Sequence, residues 1–578
     1  MKVKTSISRN SSAASLRDYA SRRGWRKTII LAQSIFDVPK YIFVTGGVVS
    51  SVGKGTVAAS IGKILQSRGY SVDFLKIDPY VNVDAGTLNP YSHGEVFVTD
   101  DGGETDLDLG WYERFMDIPM SKLNNLTTGQ VFQEVIRRER AGEYLGQCVQ
   151  IVTHVTDEIK RRIRVVAERR KADIVIVEIG GTVGDIEGQP FYEAARQMKL
   201  EEETLFVHVS LVIYLKATGE FKTKALQHSV NELRRTGIQP DIIVARSERI
   251  IDEPTRRKIA LFGTLPKEAV FCSYDTDVIY EVPLILEGQG LGDYIAKHLR
   301  LRNDGMGLAE WGEIVRTFKT SGPLVKVAVC GKYTALTDSY ISIKEALKHA
   351  AAFEGAQLKI FWVDTEKLEQ GDASEYSKLK EADGVLVPGG FGRRGAEGKI
   401  MAINYARTQD KPFLGLCFGL QMAVVEFARN VLGLENANST EHDPETPHPV
   451  IDLMPEQVGV EEKGGTMRLG SLPVIIQQNT LAYRLYQSEQ IYQRHRHRFE
   501  VNPNYHDSLK GGGLVFSGLS PDLRRVEIIE LPNRRYFIAT QYHPEFKSRP
   551  GKPEPVFRGL ISACLREVKI KEIGVKAR

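Results

Sequence analysis

Cysteine is scarce in this chain. Its five cysteines, Cys148, Cys272, Cys330, Cys417 and Cys564, stand far apart, odd in number and without the close pairing of a zinc site. That excludes a disulfide-stapled scaffold and fits a reducing cytoplasm. Long apolar runs are also missing, none approaching the roughly 18 residues of a membrane span. Charge of one sign is not in excess, the formal net value being +4, so composition makes no case for nucleic acid or a membrane as partner. What is present, 42% hydrophobic and 26% charged residues, is the make-up of an ordinary globular protein. At 578 residues the chain is too long for one core, and on the order of three to four domain-sized units, or two large ones, are expected. Function must then lie in local pockets.

The first 40 residues stand apart. Met1 to Phe36 holds eight Lys or Arg against one acid, Asp18, with many serines. The bias suits a transit peptide, and a disordered N-terminal extension over 1–40 is the simpler expectation. Past Lys40, short β-branched runs alternate with amphipathic stretches, the rhythm of parallel sheets covered by helices. Strands are expected at 41–45, 72–77, 173–179, 206–215 and 241–245. The rhythm breaks at 303–323, read as a linker, and a second set follows at 325–331, 358–364, 383–390, 412–417 and 536–546. The expected fold is α/β, two doubly wound parallel-sheet domains in series at 41–302 and 324–568, with a solvated tail at 569–578. No internal repeat is visible.

In the second half, LGLCFGLQ (414–421) sets Cys417 between Gly415 and Gly419 after an apolar run. That is the spacing of a strand-to-helix elbow that lifts a nucleophile above a sheet. A nucleophile needs a base and a group to orient that base. His543-Pro544-Glu545 offers both, since the proline favours extended backbone, on which residues two apart face one side. An oxyanion would find backbone N–H donors in Gly389-Gly390-Phe391-Gly392, after a strand, and at Phe418, next to the nucleophile.

PGGFG, GLCFGLQ and HPE, in this order, resemble a class I glutamine amidotransferase domain. Such domains hydrolyse the glutamine side-chain amide through a cysteinyl thioester and hand over ammonia. The resemblance implies that Cys417 is nucleophile, His543 base and Glu545 orienter, with Gly390, Phe418, Gln421, Glu441 and Arg498 lining the glutamine site. Arg498 and Glu441 suit the carboxylate and ammonium of a free amino acid.

In the first half, VTGGVVSSVGKGT follows the first strand and opens a helix, so its N–H groups can cradle phosphates with Lys54 reaching them. It departs from the regular P-loop: five residues separate Gly47 from Gly53, and Gly55 replaces the Ser or Thr after the lysine. Ser51 and Thr56 are then the candidates for a hydroxyl on Mg²⁺. Asp100, Asp101, Glu104, Asp106 and Asp108 crowd one loop, and Glu178 ends an apolar strand. Nucleotide-bound Mg²⁺ wants only one or two carboxylates, and the expected pair is Asp108 with Glu178. Lys222 and Lys224 straddle one residue and would face one side of an extended segment, with Gln227 offering its amide to a base. That would be a second triphosphate site.

From Tyr41 to about Leu565 the chain closely resembles the CTP synthase family, through YIFVTGGVVSSVGKG, KIDPYVNVDAGT, HGEVFVTDDGGETDLDLGWYERF, EIGGTVGDIEGQPF, QHSVNELRRTGIQPD and GGTMRLG. The resemblance implies a P-loop-like amidoligase domain followed by the glutaminase. ATP would phosphorylate O4 of UTP, and ammonia released at Cys417 would travel inside and displace the phosphate to give CTP. It assigns Ser51, Val52, Gly53, Lys54, Gly55, Thr56, Lys76, Asp108 and Asp275 to ATP. Ser50, Lys222, Lys224, Gln227 and Lys258 would hold UTP, and Asp185, Ile186 and Glu187 the feedback inhibitor CTP. Mg²⁺ without an organic cofactor, GTP activation, a homotetramer and filaments complete the implied picture. The uridine motif departs at Ala225-Leu226, where Pro-Thr is usual.

Two other readings compete. One is a related ATP-driven amidotransferase acting on a cofactor side chain, which the segment Lys222 to Val230 argues against. The other is a nucleotide-dependent, polymer-forming structural or regulatory protein, which the intact Cys417, His543, Lys54 and Asp108 argue against.

Overall fold

The computed structural model describes residues 38–302, 307–319, 321–334, 336–454 and 467–576. The expected N-terminal extension lies, up to residue 37, outside the described residues. The β-branched runs of the first half form seven strands: β1 (Lys40–Gly47), β2 (Val72–Asp78), β3 (Asn125–Thr127), β4 (Ile174–Ile179), β5 (Thr204–Leu211), β6 (Ile242–Ser247) and β7 (Val270–Tyr274). They pair in the order β7-β6-β5-β1-β4-β2-β3, every pair parallel. All residues of β2 and β4 are buried, as expected of strands covered on both faces. After β1 the chain leaves toward β2, and after its neighbour β4 it leaves to the other side, toward β5. A crevice for ligands opens at such a switch point, beyond the carboxyl ends.

Helices α1 (Lys54–Ser67), α2 (Asp108–Met116) and α3 (Lys224–Arg235) bring residues to that edge. The strand expected over 206–215 is in fact two. β5 ends at Leu211, and Ile213–Leu215 turns out of the sheet to pair antiparallel with Glu220–Lys222, leaving Ile213 and Leu215 exposed.

Much of the stretch read as a linker is also ordered. Helix α4 (Ala309–Thr317) buries Trp311 and Val315 in the core of the first sheet, and Trp311 donates its indole N–H to the Tyr280 carbonyl at 2.7 Å. Apolar residues four apart held it there, a spacing the short stretch carries on one face only.

The second half opens with β8 (Leu324–Gly331), α5 (Ile341–Phe353), β9 (Gln357–Asp364), β10 (Gly384–Val387) and β11 (Phe413–Leu416), and then α6 (Phe418–Asn430). It continues with β12 (Arg468–Ile476), β13 (Gln490–His497), β14 (Val515–Leu519), β15 (Val526–Glu530) and β16 (Phe537–Thr540), closing on α7 (Pro555–Lys576). The order is β9-β8-β10-β11-β16-β15-β14-β12-β13. The pairs from β9 to β16 are parallel, and antiparallel strands extend the sheet beyond. Helix α7 runs on to Lys576, through most of the expected tail.

The two halves meet along β12, β13 and α5. Gly102 and Gly470 touch backbone to backbone, so closely that a Cβ on Gly470 would stand 2.7 Å from the Gly102 nitrogen, and the Ser471 N–H donates to the Asp100 carbonyl at 2.8 Å. Beside that seam, Arg494 donates to Asp100 at 2.7 Å and to Glu113, which also takes Arg549. No helix among the described residues is long and apolar enough to cross a membrane.

Candidate active sites

β11 ends at Leu416 and α6 begins at Phe418, which leaves Cys417 on the turn between them. Cys417 adopts φ 49° and ψ −102°, a strained turn for a residue with a side chain, of the kind that functional sites hold in place. Both flanking glycines are required: a Cβ on Gly419 would lie 2.2 Å from the Val387 carbonyl oxygen, and one on Gly415 would lie 2.8 Å from Ala539 Cβ. The Cys417 N–H donates to the Thr540 carbonyl at 2.7 Å, which ties the elbow to the end of β16.

The chain leaving β16 delivers His543 and Glu545. The extended His-Pro-Glu segment expected from the sequence is absent. Pro544, favoured at the first position of a helical turn, instead starts a short 3-10 turn at Pro544–Lys547. The turn still brings His543 Nδ1 and Glu545 Oε1 to 2.7 Å, while Nε2 has no hydrogen-bond partner among the described residues. Burial alone would lower the imidazole, but Glu545 and the nearby Cys417 sulfur outweigh it and raise His543 to about 10. Oriented through one nitrogen and open at the other, His543 is built to exchange a proton beside Cys417.

These groups line a cavity of about 500 Å³, together with Gly389, Gly390, Gln421, Glu441 and Arg498. Gln421 donates to the Phe499 carbonyl at 3.0 Å, and Glu441 accepts the Gly392 N–H at 2.8 Å. Burial raises Glu441, with Lys332 and Arg498 acting against it. Arg496 was not anticipated: it lines the cavity and donates to Glu104 at 2.7 Å and to the Gly86 carbonyl at 3.0 Å, both across the seam. Its signal was readable, since Arg494, Arg496 and Arg498 recur every second residue, the period of one strand face.

In the first half, a cavity of about 610 Å³ is walled by residues 50–56 with Lys76, Asp78, Asp106, Asp108, Glu178, Asp185 and Glu187. Gly53, at φ 97°, caps α1 so that its first N–H groups open toward the cavity. Lys54 donates to the Gly181 carbonyl at 2.7 Å, and burial lowers its amine. Burial would lower Lys76 as well, yet Asp106, Asp108 and Asp78 hold it well above the usual range.

Asp108 and Glu178 do come together. A Cβ on Gly55 would sit 2.3 Å from Asp108 Oδ1 and 3.5 Å from Glu178 Oε2, so the two acids converge where glycine leaves space. Burial and the facing Asp108 push Glu178 up to about 8, and burial raises Asp108 too. Two oxygen donors that repel one another suit a hard divalent cation. The rest of the acidic loop is divided: Asp106 binds Lys76 at 3.1 Å, Asp101 accepts from Thr99 at 2.6 Å, and Asp100 and Glu104 serve the seam.

The extended segment expected to carry Lys222 and Lys224 on one side is not a single strand. Lys222 ends a hairpin and pairs with Glu220, whereas Lys224 begins α3, so the two do not share one extended face. Gln227 is buried and donates to Thr223 at 2.9 Å. Lys258 is exposed, Ile186 is 78% exposed, and neither lines the cavity. Asp275 is likewise exposed and pairs with Arg246, whose side chain lies beside Gly53. Ser50, Asp185 and Glu187 face the cavity.

The family profile described as CTP synthase N-terminus matches residues 40–301, and the one described as glutamine amidotransferase class-I matches residues 335–563. A curated CTP synthase of Pyrococcus abyssi is 59% identical over 529 residues, 91% of this chain and 98% of that protein. One of Methanopyrus kandleri is 57% identical over 529 residues, 91% of this chain and 99% of that protein. The chain belongs to the CTP synthase family. Among solved structures, the glutaminase domain of Trypanosoma brucei CTPS with bound acivicin is 37% identical, covering 42% of this chain and 94% of that one with a TM-score of 0.40. CTP synthases are glutamine-hydrolysing ligases of pyrimidine nucleotide biosynthesis, and both parts that such an enzyme needs are matched in order along this chain.

Proposed function

We propose that this chain makes CTP from UTP, ATP and glutamine at two coupled sites in a reducing cytoplasm. Cys417 would attack the side-chain amide carbon of glutamine, which Gln421, Glu441 and Arg498 hold. The N–H groups of Gly390 and Phe418 would take the oxyanion, and His543, oriented by Glu545, would give its proton to the departing ammonia. Water then cleaves the thioester and glutamate leaves.

In the other cavity, residues 51–56, Lys54 and Lys76 would hold the ATP phosphates. Asp108 and Glu178 would hold Mg²⁺, which neutralises triphosphate charge when bound. Phosphorylation makes O4 of UTP a leaving group, and neutral ammonia then displaces phosphate at C4. Asp275 would contribute at the ATP rim, and Ser50, Lys222, Lys224, Gln227 and Lys258 to UTP, with Asp185, Ile186 and Glu187 recognising CTP as inhibitor. Lys222, Lys224 and Lys258 lie outside the single-chain cavity, and Leu145, Ile186 and Leu200 are exposed. Both features favour a site completed by a second copy in a homotetramer. GTP is proposed as the activator of glutamine hydrolysis.

The observation that carries this reading is the common wall of the two cavities. Glu95, Val96 and Ile343 line the glutaminase cavity, while His93, Asp338 and Ile341, a few residues away, line the nucleotide cavity. Ammonia would have only that wall to cross. The test is CTP formation from UTP, ATP and Mg²⁺ with glutamine or ammonium chloride, in wild type and Cys417→Ala. CTP from both nitrogen sources in wild type and from ammonium alone in the variant is expected. Glutamine hydrolysis without CTP from either source would refute the UTP assignment.

A further inference from the structure

Lys399, on the helix Ala396–Thr408, is 1% exposed and forms no salt bridge to a carboxylate among the described residues. A lysine rarely sits so deep without an acid, because its desolvated ammonium needs partners. Its partners here are the carbonyl oxygens of Pro388, at 2.8 Å, and Gly389, at 3.2 Å, and the face of the Phe418 ring, 4.6 Å away. All three belong to the segments that flank Cys417.

The geometry has a direct chemical consequence. A trans peptide is planar, so the Gly389 carbonyl and the Gly390 N–H point in opposite directions. With that carbonyl drawn toward Lys399, the Gly390 N–H points away from the lysine, and Gly390 lines the cavity together with Cys417 and His543. The two glycines have no side chains to resist a flip of this peptide. A flipped peptide would offer an oxygen where an oxyanion must be held, and glutamine hydrolysis would stop. Phe418, the first residue of α6, carries one of the unpaired N–H groups that every helix start leaves.

We propose that Lys399 is a positioning residue that locks the Gly389–Gly390 peptide, and braces Phe418, so that both N–H donors face the oxyanion. The inference rests on reading Cys417 as the nucleophile of glutamine hydrolysis.

The experiment compares wild type with Lys399→Met in the full chain. Glutamine hydrolysis in the variant is expected to lose about 100-fold in kcat, with KM changed by less than about twofold. A second probe is the γ-aldehyde analogue of glutamine. The Cys417 sulfur bonds to its carbonyl carbon, the C=O π bond breaks, and the thiol proton ends on the new oxygen, which sits in the same hole. Affinity for the aldehyde should fall by a factor similar to that in kcat. In a Cys417→Ala background, glutamine binding should be the same with lysine or methionine at 399. Ammonium-dependent CTP formation, expected unchanged, reports an intact fold. If Lys399→Met does not fold, Lys399→Gln, which keeps N–H donors, is read by the same affinities and should lose less. Wild-type kcat and aldehyde affinity in the variants would overturn the proposal, as would a loss of glutamine binding affinity, in the Cys417→Ala background, as large as the loss of aldehyde affinity. Wild type that does not hydrolyse glutamine would overturn the parent reading and this one with it.

Discussion

Glu113 of the nucleotide half grips Arg494 of the glutaminase half through both arms of the guanidinium, at 3.0 and 2.9 Å, and Arg494's own carbonyl accepts the His543 N–H at 2.8 Å. One residue thus anchors the seam with its side chain and His543 with its backbone. Glu113 lies on α2, whose first residue is Asp108, so the same helix starts in the nucleotide cavity.

Glu113→Gln takes the shared carboxylate from Arg549 and leaves Arg494 with Asp100 alone, and breaking comparable buried pairs costs about 3–5 kcal/mol. The expected result is a lowered thermal unfolding midpoint. Coupling should fail as well, with more glutamine hydrolysed per CTP formed than in wild type. Unchanged stoichiometry would confine Glu113 to a structural role.

Glu545→Gln removes the charge that holds the His543 tautomer. Glutamine-dependent CTP formation should drop by about 10²–10⁴, the range of general acid–base catalysis, whose upper end matches loss of an orienting acid in a triad, while the ammonium-dependent rate stays within about twofold. Parallel assays with the two nitrogen sources decide it.

Gly55→Ala would press a methyl group onto Asp108 Oδ1, 2.3 Å away. CTP formation should fall sharply with either nitrogen source, while unstimulated glutamine hydrolysis survives. Loss of both activities would mean that the change spreads beyond the phosphate loop.

Glu95 gives a pH dependence. Burial pushes its carboxyl up to about 7, against the opposing influence of Arg114 and Ser342, with Glu545 also nearby. A carboxyl raised in the folded state favours folding fully below its unfolded value near 4.5, and that contribution is lost as pH rises through 7. Between about pH 5 and about pH 8 the wild-type melting temperature should therefore fall relative to that of Glu95→Gln. The difference is at most roughly 3 kcal/mol, at about 1.4 per pKa unit. Parallel curves for the two proteins would refute the assignment.

Local chemistry was legible in the sequence. The elbow at Cys417 depends on glycines within two residues, and the Asp108–Glu178 pair on strand and loop ends that parallel sheets always gather. Legibility failed where a single period was extended too far. Lys222 and Lys224 were placed on one extended face, but the chain changes from strand to helix at Thr223. His543 and Glu545 were paired correctly but through the wrong backbone, because proline suits a helical start as well as an extended run. Contacts between distant residues leave no local pattern: Glu113 and Arg494 are 381 positions apart. Lys399 reads as an ordinary helix lysine until its surroundings are known.

The seam at Gly102 and Gly470 joins main chain to main chain, and so is indifferent to most side chains around it. A hybrid built from the first half of one relative and the second half of another would inherit that joint almost for free. It would inherit communication between the halves only if Glu113 came from one parent and both Arg494 and Arg549 from the other. Glu113, Arg494 and Arg549, with Asp100, Glu104 and Arg496 beside them, then set which halves are compatible parts.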